Sequence, residues 1–412
     1  MKKLIAFGLI LVFVGAGIFW FLIDVPDFIT VNEGLFHHNE SPVLEVDNPE
    51  QVVVENDFEA FESDPSIVRF FYLQLNENER EIYRSIRDGL MALAPLIRLN
   101  TIDLDLATNI FERVLWDYPE IFWATGGANA QTINRFVGQN YINFMPEYSY
   151  LGDTVAKLQF AIDERVNAFL ATISDNMSEF EMILAVYEYI ILTTSYTLAA
   201  PDNQNIVSVF IHGESVCAGL SKAAQLLLNR LGIFATYVVG YAFVDGSVEP
   251  LAHAWNLVRV NEEYYHLDVT WGIPIFSEDS GVTAHVTILY DYFLINDDLL
   301  QATHQLRADV VIPAATSLRS NYFVVGGMFF ETVDELELLA ALQVSIEAER
   351  DFITFKFTSV ELYEEAKSLL LDELVFAAAE PRALELGLEW IHFRFRTKAN
   401  LNMMTVYWDW EQ

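Results

Sequence analysis

From Asn76 onward, apolar residues recur every three or four positions. Ile82, Tyr83, Ile86, Leu90 and Leu93 form one helical face, and Asn76 with Glu79 at its head has the spacing of a capping box. The same period predicts helices at LATNIFERVL, at TVAKLQFAIDERVNAFLATI and at SEFEMILAVYEYIIL, the last headed by Ser178 and Glu181. It returns in GESVCAGLSKAAQLLLNRLGI, where Leu220, Ala223, Ala224, Leu227, Leu228 and Leu231 share a face and Gly232 follows the last turn. Then the period falls to two. IFATYVVGYAF, AHAWNLVRV and EYYHLDVTWG are rich in β-branched and aromatic residues and predict strands, the last two joined by a two-residue turn at Asn261 and Glu262. Beyond about Ser320, NYFVVGGMFFET, DFITFKF, IHFRF and MMTVYWDW read as strands. They alternate with a helix through DELELLAALQVSI and another behind TSVE, which predicts a small α+β domain with its own core.

The chain therefore divides into a mostly helical region (66–176), a helix-on-sheet region (177–306) and the C-terminal domain (307–412). Its first residues are of another kind. Lys2 and Lys3 precede an uncharged run from Leu4 to Ile23, long enough to span a bilayer as a helix and lacking a small-residue cleavage site at its end. This predicts an uncleaved signal anchor over 1–23, with the rest of the chain outside the cytoplasm by the positive-inside rule. Residues 24–65 hold many carboxylates, several prolines and neither lysine nor arginine, as expected of a solvated, self-repelling spacer.

The formal net charge of −36 over 412 residues disfavours nucleic-acid partners, whose phosphates need basic surface. A single cysteine, Cys217, excludes an internal disulfide. No zinc-type cluster, EF-hand loop or phosphate-binding glycine loop occurs, so no metal, nucleotide or other cofactor is expected.

Cys217 falls at the N-terminus of its predicted helix. There the helix dipole and free N–H groups favour a thiolate and can hold an oxyanion. A lone cysteine also fits as a small buried hydrophobe, so the residues around it decide. If Asn261 and Glu262 form the turn, Val260 faces Glu263, Trp255 faces Asp268 and His253 faces Thr270. His253 and Asp268 then become diagonal neighbours on one face, within reach of an imidazole–carboxylate hydrogen bond.

GESVCAG, AHAWNLVRV and YYHLDVTWG closely resemble the signature segments of the transglutaminase-like superfamily. FYLQLNENEREIYRSI, DYPEIFW and YDYFLIND are similar to segments of exported or membrane-anchored bacterial proteins that carry this domain, so the likeness covers most of 66–306. The resemblance implies an α+β fold with a papain-like core, a helix packed on an antiparallel sheet. It implies a triad of Cys217 as nucleophile, His253 as base and acid, and Asp268 as the orienting carboxylate. Family members often have an aromatic residue three positions after the cysteine, where this chain has Leu220. That leaves the Cys217 N–H and, upstream, Gln204 as candidate oxyanion donors, with Trp255 and Trp271 as candidate cleft residues. These, like Tyr196, also fit plain packing.

Two functions of different class follow. One is a thiol-dependent acyl-transfer enzyme acting on amide bonds of surface proteins or wall peptides, as a protease, amidase, deamidase or transglutaminase. The other is a catalytically silent binding or assembly module at the cell surface.

Overall fold

Capping side chains and strand registers set most of the architecture in the computed structural model, which describes residues 68–243, 249–274 and 288–410 and the backbone of two N-terminal strands. Those strands, β1 (Leu9–Val14) and β2 (Gly17–Leu22), pair antiparallel where the sequence pattern predicts one helix from Leu4 to Ile23. The run is rich in Val, Ile, Phe and Trp, which favour strands as well as apolar helices. The expected spacer, 24–65, lies outside the described residues. No described helix is long and apolar enough to cross a membrane.

Helix α1 (Glu77–Met91) begins with the expected capping box of Asn76 and Glu79, and Ile82, Tyr83, Ile86 and Leu90 are buried. Strand β3 (Ile97–Leu99), helix α2 (Leu104–Asp117), and strands β4 (Ala124–Ile133) and β5 (Tyr141–Tyr148) follow. The three strands form an antiparallel sheet in the order β3-β5-β4, inside the region expected to be mostly helical. Up to its last residue, Ile133, ATGGANAQTI in β4 consists of small and polar residues, so no alternation marks it as a strand. Helices α3 (Asp153–Leu170) and α4 (Glu179–Thr193) stand where the pattern places them, and Ser178 with Glu181 caps α4.

A short parallel pair, β6 (Ser195–Tyr196) with β7 (Glu214–Ser215), leads into α5 (Cys217–Arg230). The central sheet contains β8 (Ala235–Ala242), β9 (Leu251–Val260), β10 (Glu263–Leu267), β11 (Phe293–Ile295) and β12 (His304–Leu306). It is antiparallel throughout, in the order β11-β10-β9-β8-β12. Val260 pairs with Glu263 across a turn in which Asn261 and Glu262 take φ of 48° and 68°, the left-handed values of a two-residue hairpin turn. Helix α5 packs Leu220, Ala223 and Leu227 against Ala235, Val258 and Val260 of the sheet. Two hydrogen bonds pin it to β9: Ser221 Oγ donates to the Ala254 carbonyl (3.0 Å) and Asn256 Nδ2 donates to the Ser221 carbonyl (3.0 Å). One buried cluster from Leu75 to Leu294 takes in both the helical region and this helix-on-sheet layer.

The C-terminal unit contains β13 (Phe329–Phe330), α6 (Glu335–Glu347), β14 (Phe352–Phe357), α7 (Val360–Leu369), α8 (Val375–Leu386), β15 (His392–Lys398) and β16 (Met403–Asp409). Its sheet runs β13-β14-β16-β15 over a core that includes Phe330, Leu338, Phe355, Tyr363 and Val406. The expected strand NYFVVGGMFFET is mostly otherwise. Asn321 caps a single helical turn, Tyr322–Val325, and Gly327 at φ 66° redirects the chain, which leaves only β13. A further buried cluster crosses the expected boundary at Leu306. In it Tyr237, Trp255, Leu257 and Tyr292 of the central sheet region pack with Val310, Ala315, Phe323, Leu401 and Met403. Beside it the buried carboxylate of Asp291 pairs with Lys398 and with Arg396 (3.5 Å), both on β15.

Candidate active site

Cys217 is the first residue of α5, preceded by Val216 in an extended conformation, so it stands at the helix end whose first-turn N–H groups lack intrahelical partners. Cys217 is buried, 3% exposed. The head of the helix is held against the preceding segment at Gly219, where an added Cβ would lie 2.1 Å from Ser215 Oγ, 2.5 Å from Ser208 Oγ and 2.9 Å from the Asn205 carbonyl. Ser208 itself donates to that carbonyl (2.7 Å) and shares a hydrogen bond with Ser215 (2.6 Å). Only a glycine permits this approach.

His253 stands on β9 opposite Gly240 of β8. The expected register holds from Val260 and Glu263 to Asn256 and Leu267, but the β9–β10 ladder ends there, so Trp255 does not pair with Asp268 nor His253 with Thr270. The cause is local. Strand β10 stops at Leu267, where the chain enters the short turn Thr270–Gly272: Asp268 Oδ1 accepts from the Trp271 N–H (3.2 Å), while the Asp268 N–H, directed away from β9, donates to the Tyr292 carbonyl (3.1 Å). The carboxylate nevertheless reaches the histidine, with His253 Nε2 and Asp268 Oδ2 2.7 Å apart. This leaves Nδ1 as the nitrogen for Cys217, with which His253 also hydrogen-bonds. The three residues singled out by sequence are thus brought together.

Burial alone would lower the pKa of His253, but the charge and hydrogen bond of Asp268, with a smaller contribution from Cys217, raise it to about 10. Burial pushes the Asp268 carboxyl up, and the facing histidines outweigh it to hold that carboxyl well below the usual range. The arrangement favours an imidazolium beside an ionised carboxylate.

The other candidates have different places. The Gln204 side-chain amide nitrogen donates to Asn203 Oδ1 (3.1 Å), and the Gln204 backbone carbonyl accepts from Lys222 Nζ (3.0 Å). Trp255 is fully buried behind His253, 6.0 Å away and nearly parallel, and its indole N–H donates to His266 Nδ1 (3.1 Å). It is core rather than cleft wall. Trp271, half-buried, lies 6.3 Å from the His253 ring and 4.6 Å from Tyr292. Tyr196 and Tyr237 both stand near the sulfur: burial first, then the charge of Cys217, raises each phenol.

Sequence reasoning missed several groups. His304 on β12 places Nε2 3.1 Å from Asp268 Oδ2, so two histidines share one carboxylate oxygen. His266, also unread, bonds Asp297 (2.8 Å). Asp297, Asp291 and Tyr292 all lie in YDYFLIND, a segment noted for its resemblance but with no role read from it. Among the described residues one group has ligand atoms close enough for a metal ion, His253, Asp268 and His304, all within 4.8 Å of one another. Their mutual hydrogen bonds account for that closeness.

Residues 167–269 match the family model described as the transglutaminase-like superfamily, so the chain carries a transglutaminase-like domain. No curated protein matches the chain. It is similar to a candidate cysteine protease from Cytophaga hutchinsonii at 15% identity, covering 36% of this chain and 63% of that one, with a TM-score of 0.24. It is also similar to a structure described as a TGase at 15% identity, covering 47% and 56%, with a TM-score of 0.26. The chain thus spans less than two thirds of the length of these structures. At such TM-scores they add no argument to the family match and the geometry.

Proposed function

We propose that the protein is a thiol-dependent acyl-transfer enzyme of the transglutaminase-like kind, tethered outside a membrane and acting on amide bonds of surface protein or wall peptide. The observation that carries this reading is the hydrogen-bonded series Cys217–His253–Asp268 at the head of α5. In the first step the Cys217 thiolate adds to an amide carbonyl carbon, with the developing oxyanion accepting from the Cys217 N–H. The C–N bond then breaks, and the imidazolium of His253 gives its proton to the leaving amine. Water or a second amine attacks the resulting thioester while His253 takes a proton from that nucleophile, and breaking the C–S bond releases the acyl product and restores the thiolate–imidazolium pair. Hydrolysis and crosslinking share every step up to the thioester. The outer location rests on Lys2, Lys3 and the uncharged run Leu4–Ile23.

The test is alkylation of Cys217 by iodoacetamide across pH. An activated thiol reacts well below the pH range of a free cysteine. The silent-module reading is favoured by the burial of Cys217 and predicts ordinary or absent labelling in the folded protein. Acyl adducts trapped in a proteome and lost in Cys217→Ala identify the substrate, and protease treatment of intact cells tests the location by removing the domain.

A further inference from the structure

Strand β8 brings two histidines to one side of the sheet. Its Gly240 pairs with His253 on β9 and with Leu306 on β12, and its Ala242 pairs with His304. The two imidazoles therefore sit diagonally across β8 on the same face, with ring centroids 5.3 Å apart. Gly240 leaves the room for this, since an added Cβ would lie 2.1 Å from the Gln305 carbonyl oxygen and 2.8 Å from the Trp255 ring.

His304 is fully buried and both ring nitrogens are engaged. Nε2 faces Asp268 Oδ2 at 3.1 Å, and Nδ1 faces Thr303 Oγ1 at 2.9 Å, which in turn is 2.8 Å from the Tyr292 hydroxyl. A carboxylate oxygen only accepts, so the Nε2 position carries the proton. The titratable groups that face the ring are Asp268, His253, His266 and Tyr292. Burial, with the charges of His253 and His266, holds its pKa below the ordinary value against the pull of Asp268. In the neutral ring Nδ1 is bare and accepts from the Thr303 O–H, and the Thr303 oxygen can accept from Tyr292. The proton positions are then set along the whole series.

We propose that His304 is a positioning residue of the thiol site: as a neutral Nε2–H donor, oriented by Thr303 and Tyr292, it fixes the Asp268 carboxylate and shares its charge with His253. The inference rests on the Cys217–His253–Asp268 reading above. It assigns Asp268 three donors, the two imidazoles on Oδ2 and the Trp271 N–H on Oδ1, so the carboxylate cannot swing away from His253. It also gives Asp268 a competing hydrogen bond, which keeps the proton affinity of His253 below what an unshared carboxylate would impose.

Two measurements on the full-length protein test this. The first is the pH profile of Cys217 alkylation by iodoacetamide. Its upper limb reports loss of the His253 proton, and in His304→Leu that limb should move up by about one pH unit while the plateau rate falls about tenfold. His304→Gln, which can place an amide N–H near the Nε2 position, should restore most of the rate and return the limb toward its original place. An unchanged profile in His304→Leu, or a folded His304→Gln as impaired as His304→Leu, overturns the proposal. If His304→Leu does not fold, Thr303→Val removes the O–H that orients the ring and should give the same changes, smaller in size; no change there also overturns it. The second measurement is independent of Cys217. Ring-nitrogen NMR of histidine-labelled protein should show His304 as the neutral Nε2–H tautomer from pH 6 to 9, and a charged ring or the other tautomer rejects the inference. A wild-type Cys217 that reacts like a free thiol, with the His304 tautomer as stated, would reject the functional reading instead.

Discussion

Replacing Asp268 by asparagine separates the roles of charge and shape at the site. In the folded protein His253 keeps its proton to about pH 10, because the Asp268 charge and hydrogen bonds outweigh a burial that acts in the opposite sense. Asparagine removes the charge and leaves the burial, so the ring falls to its ordinary value of 6.5 or below. At pH 8 the imidazolium fraction then drops from nearly complete to about 3%, and alkylation that depends on the thiolate–imidazolium pair falls at least about 30-fold. The upper limb of the pH profile moves down by roughly three units or more. Stability changes with it. A folded pKa above the unfolded one contributes stability that is fully present below about pH 6.5 and is lost as pH rises through about 10, so the wild type should lose stability over that interval and the variant should not. The variant also leaves two buried imidazoles facing an amide, and breaking a buried pair of this kind costs about 3 to 5 kcal/mol. Stopped iodoacetamide reactions between pH 5 and 11, with urea melts at pH 6 and pH 10, give both numbers. Asp268→Asn with the wild-type alkylation profile would refute the reasoning, because the carboxylate would then not govern the histidine that activates Cys217.

Three further outcomes follow from packing. Gly240→Ala forces a methyl group against the backbone of β12, and it should cost about 1 to 3 kcal/mol in a thermal melt and slow alkylation by displacing His304; a neutral effect on both would mean that β12 is not held as described. Glu262→Gly relieves a left-handed φ of 68° in the hairpin turn and should raise stability by about 0.5 to 1 kcal/mol, whereas a lower melting temperature would argue against that turn geometry. A chain ended at Leu306 exposes Trp255, Leu257 and Tyr292, which pack with residues beyond that point, so it should aggregate or melt without cooperativity, and a cooperative melt with native alkylation would contradict the shared core.

Much of this site was legible in the sequence because it rests on local rules. Cys217 at a helix head follows from apolar spacing, and the meeting of His253 with Asp268 follows from a two-residue turn that fixes the register. The end of the ladder at Leu267 was not legible, since it depends on a short turn that the Asp268 side chain closes by accepting from the Trp271 N–H. His304 lies on a three-residue edge strand, too short for any period to show. Gln204 is a candidate by chain position alone, and in the fold its side-chain amide donates to the adjacent Asn203. In β4, small and polar residues gave no alternation, so the three-stranded sheet within 66–176 left no signal.

The cluster that joins the central sheet to Leu401 and Met403 also bears on the order of events during synthesis. A ribosome delivers the chain from its N-terminus, so Cys217, His253, Asp268 and His304 all emerge while the residues that cover Trp255 and Tyr292 are still to be made. The face behind the histidines stays open to water until β16 arrives, and Asp291 waits for Lys398 over the same interval. A nascent chain therefore holds all its reacting groups before it holds the residues that complete the cluster behind them.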